Sequence, residues 1–136
     1  MSVTYLDAGV LIAALRAEPT VQALAWKLLD DRQRRFASSI FLRLEVLPKP
    51  MFHGRIQETT FLQRFFTVMV AHEPPDLSLV AAEALTIATE YGLGACDALH
   101  VAAARNCGCD ELVTTERTSS PLFRVRSPQV RHLTDC

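Results

Sequence analysis

A single α/β domain, an α/β/α sandwich around a small central parallel sheet of four to five strands, is predicted by three features of this sequence. Short apolar runs rich in β-branched residues ("VTYL", "ELVTT") alternate with longer stretches whose apolar residues recur at helical spacing. No Pro/Gly-rich linker, internal repeat or low-complexity segment divides the 136 residues, so 1–136 reads as one domain. Hydrophobic residues make up 49% of the chain, enough for a packed core.

Taken in order, "VTYL" is a short buried strand with Asp7 at its carboxyl end, and "GVLIAALRA" turns into a helix. After Pro19, "TVQALAWKLLDDRQ" carries Val21, Leu24, Ala25, Leu28 and Leu29 on one helical stripe. "RFAS" is a second strand. "SIFLRLEVL" is a short helix that "PKP" should stop. In "RIQETTFLQRFFTVMV", Phe61, Leu62, Phe65 and Phe66 keep helical spacing, and the β-branched end "TVMVA" predicts a third strand. Pro74 and Pro75 precede a helix over "DLSLVAAEALTIATEYGLG", with Asp76 or Ser78 as N-cap and Gly92 as a left-handed stop. "DALHVAAARNCG" is a helix from Asp97 to near Gly108, "ELVTT" a fourth strand and "LFRVRS" a possible fifth. In such parallel sheets, ligands gather beyond the carboxyl ends of the strands.

Composition narrows the function classes. A net charge of −1 provides no global basic field, although Arg117, Arg124, Arg126 and Arg131 form a stretch free of acids. Arg32, Arg34 and Arg35 in "DDRQRR" read as a solvated face. Cys96, Cys107, Cys109 and Cys136 lack zinc-type spacing and read as reduced thiols. No apolar run reaches the ~18 residues of a membrane span. "VLIAAL" is short, follows an acid and lacks a basic leader, so a soluble cytoplasmic protein is expected. A nicotinamide enzyme is disfavoured by the missing Gly-rich fingerprint, and a phosphoacceptor receiver by the absence of any Lys after Lys49.

Four acids then stand out. Asp7 and Glu116 follow strands, Asp97 opens a helix on the same side, and Glu45 sits in a helix that is apolar almost all round. Taken singly, each has an ordinary reading: helix caps for Asp7 and Asp97, an exposed loop acid for Glu116, and an ion pair with Arg43, Lys49 or Arg55 for Glu45. If they converge, mutual repulsion raises their pKa values, and a hard oxygen-seeking cation resolves the conflict. That chemistry is metal-assisted phosphodiester hydrolysis. His100, one turn after Asp97, reads first as a packed or surface residue, and His53 as solvated surface.

The set in its context resembles the PIN-domain nucleases, and among them the VapC-type toxins of bacterial toxin–antitoxin pairs. The resemblance rests on "YLDAGVLIAAL", "SSIFLRLEVLPKP", "CDALHVAAA" and "ELVTTE", in that order over nearly the whole chain. It implies Mg²⁺- or Mn²⁺-dependent endoribonuclease activity, with Asp7, Asp97 and Glu116 as metal ligands and Glu45 holding metal directly or through water. Thr114 matches the threonine that precedes the last acid. The resemblance also implies an RNA substrate, a cognate antitoxin partner and a homodimer. Arg117, Arg124 and Arg126 are candidates for holding substrate phosphates. Two positions depart from the pattern: Glu116 stands where Asp is usual, and Gly9 stands where Ser, Thr or Asn is frequent. They support an alternative reading, a catalytically degenerate PIN-like nucleic-acid-binding or regulatory module.

Overall fold

The computed structural model describes residues 1–136. Five strands form one sheet in the order β3-β2-β1-β4-β5, with every neighbouring pair parallel. The strands are β1 (Ser2–Leu6), β2 (Arg34–Ala37), β3 (Val70–His72), β4 (Glu111–Thr114) and β5 (Gln129–His132). The helices are α1 (Ala8–Arg16), α2 (Pro19–Leu29), α3 (Ile40–Val46), α4 (Pro48–Phe52), α5 (Ile56–Arg64), α6 (Leu77–Tyr91) and α7 (Ala95–Asn106).

Alternation along the strands builds two cores. Leu6, Phe36 and Val113 pack with α1, α2, α3 and α5, whereas their neighbours Tyr5, Ala37 and Leu112 pack with α6 and α7. Successive strand side chains point to opposite faces, so a parallel sheet covered on both sides needs apolar residues at consecutive positions. This is the α/β/α sandwich expected from the sequence. No helix is long and apolar enough to cross a membrane.

Several boundaries differ from the sequence reading. α3 ends at Val46, as the following proline demands, but Pro48 then occupies the first turn of α4, where its missing N–H costs nothing. The run "FFTVM" is one wide π-helical turn (Phe65–Met69) that buries Phe65 and Phe66, leaving only Val70–His72 to pair with β2. The fifth strand is not "LFRVRS". Ser120 caps a 3-10 turn over Pro121–Arg124, and β5 forms later, at "QVRH". Asp76 caps α6, and Gly92 ends it at φ 67°, both as expected.

The arginine cluster at β2 also divides. Arg34 turns inward instead of lying on a solvated face: its Nε donates to Glu111 Oε1 at 2.8 Å and its Nη1 lies 2.8 Å from Asp31 Oδ2. All four cysteines are free thiols. Burial raises Cys107 to about 11 and Cys109 to about 12, so neither is a ready nucleophile.

Candidate active site

Asp7 and Glu116 lie just beyond the carboxyl ends of β1 and β4. Asp7 directly follows β1, and its backbone N–H donates to the Val113 carbonyl of β4 at 2.9 Å, which ties it to the sheet. It is also the N-cap of α1: Oδ1 accepts from the Ala8 N–H at 2.8 Å. Its other oxygen, Oδ2, accepts from the Thr114 hydroxyl at 2.9 Å. Capping and membership of the acidic centre are therefore two uses of one side chain. Thr114 Oγ1 in turn accepts from the Glu116 N–H at 3.1 Å, so one hydroxyl joins the first and last acids.

Asp97 lies in the first turn of α7, two residues inside the helix, and does not cap it; Gly94 holds that position. Ala98, Ala102, Ala103 and Ala104 are buried, and such small side chains let a helix axis lie close to its neighbours. Glu45 projects from the last turn of α3, and its partner is none of Arg43, Lys49 and Arg55. Oε1 hydrogen-bonds His100 Nε2, while Arg43 pairs with Glu73 and Arg55 with Glu58. One donor atom each from Asp7, Glu45 and His100 lies within 4.8 Å of the others.

His100 is the residue that sequence reasoning undervalued. It is buried, its Nε2 faces Glu45, and its Nδ1 lies 2.6 Å from the Tyr5 hydroxyl. The available signal was its position one turn after Asp97, which puts both side chains on one face of α7. His53 is exposed, as expected.

Electrostatics link the two remaining acids to this group. Burial, then the fields of Glu116 and Asp7, push Asp97 from its ordinary 3.8 up to about 6, with Glu45 adding to the rise. Burial also raises Asp7, against the hydrogen bonds from Thr114 and Ala8, which pull it down. Glu45 is held low, first by its hydrogen bond with His100. Asp97 thus feels the field of all three other acids. Glu116 is anchored besides, because Ser120 donates a hydrogen bond to its Oε2.

The glycine at position 9 has a steric reason. A Cβ there would lie 2.1 Å from Thr115 Oγ1, so the Thr115 hydroxyl occupies the space a side chain would need. Gly9→Ala is expected to force Thr115 into another rotamer at a cost of about 1–2 kcal/mol. Thermal denaturation of Gly9→Ala, Thr115→Ala and the double variant checks this, with the double variant recovering most of the loss.

The candidate phosphate-binding arginines divide. Arg117 is exposed beside Glu116, and Arg126 is exposed in the turn before β5. Arg124 donates from Nη1 to the Tyr91 carbonyl at 2.9 Å, at the C-terminal end of α6.

A parallel α/β/α domain with acids gathered beyond its central strands belongs to the class of proteins whose site lies at a sheet's carboxyl edge. The PIN domain family model matches residues 4–118, and the chain belongs to that family. No curated protein matches the sequence. Among solved structures, VapBC2 from Rickettsia felis bound to a DNA fragment from their promoter is similar at TM-score 0.66 and 13% identity, with 96% of this chain and 98% of that one covered. VapBC-1 from nontypeable Haemophilus influenzae is similar at 0.66 and 15%, covering 97% and 98%. FitAcB from Neisseria gonorrhoeae is similar at 0.62 and 18%, covering 98% and 99%. At these identities the likeness is one of fold.

Proposed function

We propose that this PIN domain is a Mg²⁺- or Mn²⁺-dependent endoribonuclease that hydrolyses RNA phosphodiester bonds, and that it is the toxin of a type II toxin–antitoxin pair. The observation that supports the reading is that donor atoms of Asp7 and Glu45, from separate segments, lie within 4.8 Å of one another, while Asp97 is raised by the fields of Glu116, Asp7 and Glu45. Their donors are hard oxygens, the set that suits a hard divalent cation. Asp7, Asp97 and Glu116 would hold the ion, with Glu45 joining directly or through water. When bound, it would lower the pKa of a water and offset charge on a phosphodiester under in-line attack. Thr114 orients Asp7 through the hydroxyl that donates to its Oδ2. Arg117, exposed and adjacent to Glu116, is the cation available to hold an RNA phosphate there, whereas Arg126 precedes β5 at the opposite edge of the sheet and Arg124 is tied to the end of α6.

The proposed protein partners are a cognate antitoxin and a second copy of the chain, met in the cytoplasm. The VapBC likeness supports the first. An apolar groove of about 530 Å³ supports a protein partner in general: Trp26, Ile56, Phe61 and Val68 line it, and Ile56 and Val68 are largely exposed.

RNA cleavage with Mg²⁺ or Mn²⁺, against chelator and against Asp7→Asn, tests the activity. Metal-dependent cleavage that Asp7→Asn loses is the expected result. Wild type and variant equally inert over a broad RNA panel, with no metal bound, would sink it in favour of a catalytically degenerate binding module.

A further inference from the structure

We propose that His100 serves the acidic centre as a fixed hydrogen-bond donor to Glu45 and not as a metal ligand, with Tyr5 and Ser39 locking its ring. The inference rests on the metal-centre reading above and assigns a role within it that proximity alone would assign differently. His100 contributes one of three donor atoms lying within 4.8 Å of one another, which by distance suits a ligand. The hydrogen-bond geometry points to the other use, because both ring nitrogens are already engaged.

Four groups form one chain: Ser39 Oγ lies 2.7 Å from Tyr5 Oη, Tyr5 Oη lies 2.6 Å from His100 Nδ1, and His100 Nε2 meets Glu45 Oε1. Ser39, Tyr5 and His100 are buried, so each hydrogen needs an acceptor within the chain. An ionised carboxylate only accepts, so Nε2 must carry the proton it shares with Glu45. A ring protonated there has a lone pair on Nδ1, which accepts from the Tyr5 hydroxyl. Tyr5 Oη then accepts from the Ser39 hydroxyl, and Ser39 Oγ accepts from the Leu42 N–H at 3.4 Å. Every hydrogen is used.

The other ring states fail this count. A ring protonated only on Nδ1 would set the Nε2 lone pair against a carboxylate oxygen. A ring protonated on both nitrogens would turn the Tyr5 hydroxyl toward Ser39, whose own hydrogen would then lack an acceptor in a fully buried place. In the remaining state Nδ1 is engaged by Tyr5 and Nε2 by Glu45, so ligation through Nε2 would have to break the bond that holds Glu45.

Such a chain gives Glu45 what α3 cannot. The side chain leaves the last turn of a seven-residue helix and is 29% exposed, with the exposed Cys96 thiol as its other hydrogen-bond partner. One fixed donor selects the conformer that faces Asp7. Ser39 is also the N-cap of α3, so the residue that starts the helix carrying Glu45 also orients the ring that holds it.

The test begins on isotope-labelled, metal-free protein at mildly alkaline pH. Long-range proton–nitrogen correlation of the imidazoles, with His100→Gln identifying this ring among the four histidines, is expected to find the His100 proton on Nε2. A proton on Nδ1, or on both nitrogens, overturns the assignment whatever the metal does. Mn²⁺ titration followed by electron paramagnetic resonance is the second arm. His100→Ala should weaken binding ~10–100-fold, the usual effect of removing a partner of a metal ligand. His100→Gln, whose amide can donate to the carboxylate, should recover most of that loss, and the wild type should show no ring-nitrogen coupling to Mn²⁺. Nitrogen coupling, or undiminished affinity in a folded His100→Ala, overturns the positioning role. A wild type that binds no Mn²⁺ but carries the Nε2 proton overturns the metal centre and upholds the hydrogen-bond chain.

Discussion

Asp97→Asn is expected to abolish metal-dependent RNA cleavage and, at the same time, to make the metal-free protein more stable at neutral pH. The first effect follows from removing a proposed ligand. Losing even a partner of a metal ligand costs ~10–100-fold in affinity or activity, so a loss of at least ~100-fold is expected here. The second follows from repulsion. Burial and the neighbouring carboxylates raise Asp97 from its ordinary 3.8 to about 6 in the folded protein. Between those two values the folded state binds more protons than the unfolded state. Metal-free stability therefore falls as pH rises from about 4 to about 6, and stays reduced above. Allowing for solvent screening of a half-exposed group, the penalty is about 1 kcal/mol at neutral pH. Asn removes it. Denaturant melts of metal-free wild type and Asp97→Asn at pH values on either side of this window check the sign. Added Mn²⁺ should then stabilise the wild type and leave the variant unmoved. A variant less stable than wild type at neutral pH would mean that Asp97 holds the fold together and is not strained by its neighbours.

Glu111→Ala is expected to lower stability by about 3 kcal/mol while leaving the metal site of the folded protein intact. Glu111 opens β4 with its side chain 7% exposed. Its Oε1 accepts from Arg34 Nε at 2.8 Å and Thr4 Oγ1 at 2.9 Å, and its Oε2 from Arg131 Nη1 at 3.0 Å. Burial pushes this carboxyl up, but the hydrogen bonds from Arg34, Thr4 and Arg131 outweigh it and hold the group below its ordinary range. These bonds link β1, β2, β4 and β5 at the amino end of the sheet. Truncation would strand the Arg34 guanidinium, whose side chain is 14% exposed, with Asp31 as its remaining partner. Removing one member of a buried pair costs more than the pair contributes, because the other charge stays desolvated. Thr114 and Asp7 lie three strand positions away, roughly 10 Å at ~3.3 Å per residue, so Mn²⁺ affinity should be unchanged below the melting transition. The pH trend opposes that of Asp97: the stability Glu111 provides is present above its ordinary pKa and is lost as pH falls through its lowered one. A melting curve like that of wild type would reduce the network to a surface feature.

Much of the architecture was legible because it is local. Alternating apolar runs encode strands buried on both faces, and Asp76 and Gly92 mark the ends of α6. The errors arose where neighbouring groups compete for one segment. "TVMVA" has strand propensity, yet burial of Phe65 and Phe66 draws its first half into a helical turn. "LFRVRS" looks like a strand, but Ser120 and Pro121 start a 3-10 turn there, and the sheet takes "QVRH" instead.

By itself, the order of residues determined that this chain folds as a parallel α/β/α domain and that Asp7, Glu45, Asp97 and Glu116 deserve joint attention. Only the tertiary structure decided that Glu45 answers to His100, that Arg34 closes a buried network, and that Gly9 makes room for the Thr115 hydroxyl. The physical reason is separation along the chain. Helical and strand periods are written within a few residues, whereas a hydrogen bond between positions 45 and 100 exists only once the sheet has brought α3 and α7 together.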